Sequence, residues 1–344
     1  WNADWFNAFE PLHANSANSG GGGGAGGLEC DAWEEAPTLL VERDTFANFF
    51  HNSEDFFNAF LALAILRWPV KGLQVLITDI FPKGPFWPMW SKVFRGSGPL
   101  DPQPLTLFDL ASKYGDRRIC FRKLAVAILG AAAPMTVASW DSNCQGVALV
   151  RAYSDFVVRA LGLEHANTSR DPRDVNVTYA ARKASVAWPE KAFCDTANSY
   201  FDCSMLNHLQ TRKLGRMVKN DAAVLSGLRK LEEMTFENGA RVRVREVDFS
   251  TLSFEEQILV DATTDVLIGP HGAGLMHNVF LPDRGSLIEL FVDGSSANRH
   301  FHNLAFWAGH RYRGESQSNP IQVQNVVQMA KAAVAELDLS RPVW

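Results

Sequence analysis

The sequence predicts an α/β fold in two domains, the second a doubly wound, nucleotide-type domain. Two observations carry the second domain: beyond residue 175 short apolar strands alternate with helical stretches, and an apolar strand at 265–268 runs through a glycine turn, 269–274, directly into a helix. The third is length. At roughly 100–200 residues per domain, 344 residues with 47% apolar side chains imply two cores.

Taken in order, residues 1–35 read as a flexible N-terminal segment, because the glycine run 20–24 cannot bury a core. The chain has no initiator Met, and a signal peptide or membrane anchor is expected upstream of it. Residues 36–166 form the first expected domain. Leu39-Leu40-Val41 makes a short strand, and 46–68 a helix stopped by Pro69. Residues 73–77 make a buried strand, and 81–90 (FPKGPFWPMW) an aromatic-anchored loop. The Ala-rich stretch 124–140 reads as a core segment, and 153–163 as a helix with Asp155 and Arg159 at i,i+4.

The polar run NTSRDPRD, 167–174, marks the expected boundary. The second domain, 167–344, follows with strands at 175–180, 241–247, 265–268 and 286–291 and helices at 214–233, 253–262 and 275–280. Residues 184–210 have little periodicity and read as an insertion.

Composition narrows the function. A pI near 6.0 and a formal charge of -5 argue against a general nucleic-acid partner. No uninterrupted apolar run reaches the ~18 residues a spanning helix needs. The five cysteines show no metal-ligand spacing. If they meet an oxidising compartment, Cys120 with Cys144 and Cys194 with Cys203 are nearest in sequence, leaving Cys30 in the linker. Two sequons, at Asn167 and Asn176, fall in a stretch that suits a surface loop.

The chemistry concentrates in 265–282. Glycines let a ligand approach the backbone, and a helix N-terminus offers free N–H groups to a phosphate. His271 lies at the carboxyl end of the strand, where open α/β sheets bind ligands. The glycine order is G-x-x-G-x-G, unlike the dinucleotide fingerprint, and no Walker A motif occurs. Glu289 follows on the next strand, placed to accept a ribose diol. His277 lies three residues past the turn, facing the cleft, packed in the core or exposed to solvent.

DVLIGPHGAGLMHNVFLPDRGSLIELF, residues 265–291, resembles the signature of glycosyltransferase family 61, and most resembles its EGF-domain-specific O-linked N-acetylglucosamine transferase branch. Residues 46–55 (FANFFHNSED), 118–121 (RICF), 151–156 (RAYSDF) and 175–182 (VNVTYAAR) resemble further family segments in order. The resemblance implies a GT-B architecture, two Rossmann-like doubly wound domains facing a cleft. It implies inverting transfer from a UDP-sugar, UDP-N-acetylglucosamine first, to a hydroxyl of a protein or glycan in the endoplasmic reticulum or Golgi lumen. Neither a cofactor nor an essential metal is expected. The donor site would comprise Arg182, His271, Gly272, Ala273, Gly274 and Glu289, with Lys183 or Arg212 as a second basic group. The acidic element is reduced to Phe108-Asp109-Leu110, a departure from the family pattern.

Transfer needs a base and charge stabilisation for the departing diphosphate. His271 and Arg182 suit the leaving group, while Asp55 and His51, at i,i+4, suit the base, with Glu54 a third option. A capping cluster around Asn52 and Ser53 would explain the same residues, and Phe86, Trp87 and Trp90 suit either sugar stacking or the core. The alternatives are a non-catalytic family member, a xylosyl- or arabinosyltransferase of the same family, and a dinucleotide-dependent oxidoreductase.

Overall fold

A computed structural model describes residues 30–136, 141–183, 216–292 and 297–340. Two parallel sheets dominate it. The first uses β2 (Thr38–Val41), β3 (Gln74–Ile77), β4 (Leu105–Thr106) and β6 (Leu124–Val126), in the order β4-β3-β2-β6. Strands β2 and β3 are short continuous runs buried at every position, the pattern of a sheet covered on both faces. Beside this sheet β1 (Ala32–Glu34) pairs with β5 (Ile119–Phe121).

Helix α1 (Phe49–Leu66) follows β2. Its N-cap Asn48 accepts the Phe50 N–H at 3.0 Å, and Arg67 ends it in the left-handed region. Its first half buries polar side chains, Asn52, Ser53, Glu54 and Asp55, alongside phenylalanines. Helices α2 (Leu107–Tyr114) and α3 (Ala148–Ala160) complete this half.

The second sheet uses β7 (Asp174–Ala180), β8 (Arg241–Val247), β9 (Val266–Pro270), β10 (Ser286–Phe291) and β11 (Arg311–Ser316), ordered β11-β10-β9-β7-β8. Counted within the sheet this is the order 2-1-3-4-5, which places a topological switch point between β7 and β9. Helices α4 (Asp221–Arg229), α5 (Phe254–Ala262), α6 (His300–Trp307) and α7 (Val323–Ala335) belong to this half. A 3-10 helix, Ala273–Phe280, follows β9. One aromatic-rich core runs through both halves, joining Leu39 and Phe57 to Tyr153, Phe280 and Leu287.

Several expectations need correction. Residues before 36 already take part in the fold, because β1 pairs with β5 and Cys30 is bonded to Cys120. That disulfide replaces the expected Cys120–Cys144 pairing, and Cys144 is free and exposed. Cys194, Cys203, Arg212 and the expected insertion 184–210 lie outside the described residues. Stretch 124–140 opens not as core but as an edge strand with Leu124 and Val126 outward.

The sequons also depart from a surface loop. The Asn167 amide is buried and donates to the Ala262 carbonyl. Asn176 sits within β7, between two neighbouring strands, and donates to Thr263 O at 2.7 Å. Asp155 and Arg159 form no ion pair, and Asp109 closes a capping box with Thr106.

Candidate active site

A cleft of about 620 Å³ opens between the two sheets. Its walls come from the chain just past the strand ends: Asp44 after β2, Arg182 after β7, and Gly272 to Gly274 after β9. Carboxyl ends at a switch point are where open parallel sheets bind ligands, since helices cover the faces and adjacent loops diverge there.

The second-sheet wall is built around Gly272. Its φ of +154° favours glycine, and a Cβ there would lie 2.7 Å from Arg182 Nη1, so the end of that side chain would have to move aside. A Cβ on Gly274 would meet nothing within 4 Å, so that part of the turn is open. Arg182 is half-buried and lines the cleft; Lys183 is exposed and pairs with Glu246 at 2.8 Å.

His271 is 3% exposed. Its Nδ1 bonds Glu289 Oε1, and Glu289 Oε2 accepts the Tyr312 hydroxyl at 2.8 Å. Glu289 therefore lies not on a sheet edge but on interior strand β10, fully buried, with both oxygens engaged. It orients the imidazole, and a ribose diol would find neither oxygen free. The pair fixes Nδ1 as the nitrogen facing the carboxylate, which leaves Nε2 for other partners.

The opposite wall carries His51, whose side chain is 43% exposed. Its Nδ1 lies 2.9 Å from Asp44 Oδ2 and 3.1 Å from Glu54 Oε2. Glu54 is buried and also accepts the Thr136 hydroxyl at 2.7 Å. The Glu54 hydrogen bond raises the His51 pKa above its ordinary 6.5; burial opposes this, and the charges of Glu54 and Asp44 add to it. The ligand atoms of Asp44, His51 and Glu54 lie within 4.8 Å of one another, a spacing that a divalent cation would also accept.

Asp55 is not a cleft residue. It is 1% exposed, and its Oδ2 accepts the Asp44 N–H at 3.0 Å. Burial pushes its pKa up to about 8, so near neutrality the carboxyl keeps its proton and is unsuited to act as a base. The catalytic pair expected on one helix face thus divides into an open imidazole and a buried acid that fixes the turn after β2. Trp90 (1% exposed) is packed into the core, whereas Phe86 (5% exposed) packs against Phe49 and Phe254 and also lines the cleft.

Three side chains escaped the sequence reading. Asp44 follows a strand too short to mark its own carboxyl end. Tyr312 lies on β11, whose charged pattern hides a strand. Asp261, inside α5, reads as an ordinary helical acid but bonds His277.

Fold and site together define an α/β protein with a cleft between two parallel sheets, at the carboxyl ends of their strands. A family model described as Glycosyltransferase 61 matches residues 49–288, and the chain belongs to that family. It is similar to an EGF domain-specific O-linked N-acetylglucosamine transferase of Drosophila melanogaster, 25% identical over 308 residues, covering 86% of this chain and 48% of that protein. The same-named proteins of Mus musculus (25% over 272 residues, 76% and 42% covered) and Bos taurus (24% over 306 residues, 86% and 48%) are similar too. The chain spans less than half the length of these relatives.

Proposed function

We propose that this chain is an inverting glycosyltransferase of GT-B arrangement, moving a sugar from a UDP-sugar to a hydroxyl of a protein or glycan. The observation that carries this reading is the pairing of walls across one cleft. On one side a glycine turn and Arg182 stand at the switch point; on the other, His51 stands with two carboxylates. Backbone N–H groups of Ala273 and Gly274 and the Arg182 guanidinium take the diphosphate charge that grows as the sugar–oxygen bond breaks. Arg182 suits this because its planar fork can meet two phosphate oxygens at once.

His51 takes the acceptor hydroxyl proton on Nε2, since Nδ1 is held by Asp44 and Glu54. The imidazolium so formed is stabilised by those carboxylates. The acceptor oxygen then attacks the anomeric carbon from the face opposite the leaving diphosphate, which inverts its configuration. His271, held by Glu289 and packed on Phe291 and Phe301 behind the turn, is not on the cleft wall and shapes the turn from behind. No step uses a metal ion or cofactor.

The relatives' names favour N-acetylglucosamine as the sugar and an EGF-type domain as acceptor. The Cys30–Cys120 disulfide fits an oxidising lumen, endoplasmic reticulum or Golgi. Among the described residues no helix is long and apolar enough to cross a membrane. Proton NMR of the transfer product tests the geometry. An α-linked donor is expected to give a β-linked product; an α-linked product would refute the single-displacement mechanism.

A further inference from the structure

Two buried imidazole–carboxylate pairs bracket the glycine turn. The first, His271 with Glu289, is described above. The second is His277 with Asp261, three residues beyond Gly274, and His277 lines the same cleft.

His277 is 1% exposed, and its surroundings account for most of its ring. Phe249 stacks on it at 3.8 Å and 10°, and Phe49 at 4.4 Å and 27°. Nδ1 lies 2.5 Å from Asp261 Oδ2. With the Phe rings and Asp261 so placed, the edge left toward the cleft is the one that carries Nε2. Asp261 is fully buried, and it faces Arg245 as well as His277.

A packing role alone does not explain this arrangement. A third phenylalanine would stack equally well and would not require a buried carboxylate, which is costly unless paired. What the carboxylate adds is a fixed partner for Nδ1, which sets the orientation of the ring. With Nδ1 occupied, Nε2 is the ring's one remaining polar atom, on a residue that lines the cleft beside the glycine turn.

We infer that His277 is a second phosphate-binding group of the donor site, its Nε2–H donating to a non-bridging oxygen of the diphosphate seated on the Gly272–Gly274 turn. The inference rests on the UDP-sugar reading above. It also gives Asp261 a role, holding the ring's orientation from behind.

The test compares UDP with uridine, because a diphosphate ligand affects only the first. His277→Asn keeps an N–H close to the position of Nδ1 for Asp261 and removes the Nε2 edge; His277→Gln places a neutral N–H near Nε2. Binding of UDP and of uridine to the whole chain is measured by titration calorimetry, with melting temperature followed alongside. For His277→Asn, UDP affinity is expected to fall about 10- to 100-fold, the range of a lost charge-assisted hydrogen bond, with uridine affinity unchanged. His277→Gln is expected to fall between that variant and the wild type. Equal loss for UDP and uridine, or no loss for UDP, overturns the inference. Should His277→Asn not fold, Asp261→Asn removes the carboxylate while keeping the ring, and the same selective loss of UDP is expected. Failure of the wild type to bind UDP would instead overturn the donor reading itself, before any variant is compared.

Discussion

On the first-sheet wall two carboxylates hold the same nitrogen of His51, and the pH response of the site follows from them. A base must be unprotonated, and a raised pKa moves that state to higher pH. Turnover should therefore rise with pH through a midpoint above 6.5. Glu54→Gln removes the largest raising cause, so the midpoint should move down; an unmoved midpoint would take the base role away from His51. Asp55, four residues on, behaves oppositely. Between the ordinary 3.8 and about 8 the folded form holds a proton that the unfolded chain has lost, so stability falls as pH rises through that window. Asp55→Asn lacks this dependence. Urea unfolding at pH 5 and pH 8 should show wild type losing stability relative to the variant by up to about 1.4 kcal/mol per pH unit; a pH-independent difference would contradict the burial argument. The sequence showed His51 and Asp55 as neighbours on one helix turn, but burial, which separates their roles, depends on Gly130 and Asp44 packing over the acid, and these are contacts between segments.

Among the elements, the glycine turn after β9 was the most legible, because its glycines, its strand and its helix are local features. Its φ of +154° and the close approach of Arg182 give it a direct test. Gly272→Ala adds a Cβ that Arg182 must avoid, so the donor KM is expected to rise by about 10-fold, or roughly 1.4 kcal/mol. Circular dichroism should show the fold retained. An unchanged KM would mean that Arg182 does not work from this position. Strand β11 was illegible for a physical reason: at the sheet edge, its sequence RYRGES carries charges that discourage further pairing and hide the apolar alternation of a strand. Strand β6 misled in the other direction. Its apolar residues signalled core, but at an edge they point partly to solvent.

At the scale of the whole molecule, the alternation of strands and helices beyond residue 175 predicted one parallel sheet and the family resemblance implied the other, whereas the continuity of their cores could not be read from either. A shared core of phenylalanines and Tyr153 joins the halves, and Phe49 and Phe50 of α1 reach across to stack on His277 and His300. An extensive apolar interface of this kind opposes free domain motion, so the cleft is largely formed before ligand arrives. The Cys30–Cys120 bond adds a tether across 90 residues of sequence, worth about 4.6 kcal/mol on chain-entropy grounds. Its partners could not be chosen from spacing, because the nearest cysteine in sequence is not the nearest in space.

The central claim is that this cleft activates a UDP-sugar with Arg182 and the glycine turn. UDP release from a panel of UDP-sugars, measured with an EGF-type acceptor for wild type and Arg182→Ala, tests it most directly. The expected result is release from UDP-N-acetylglucosamine by the wild type and a fall of at least about 100-fold in the variant. Release that survives the loss of Arg182, or a folded wild type that turns over none of the panel, would contradict it.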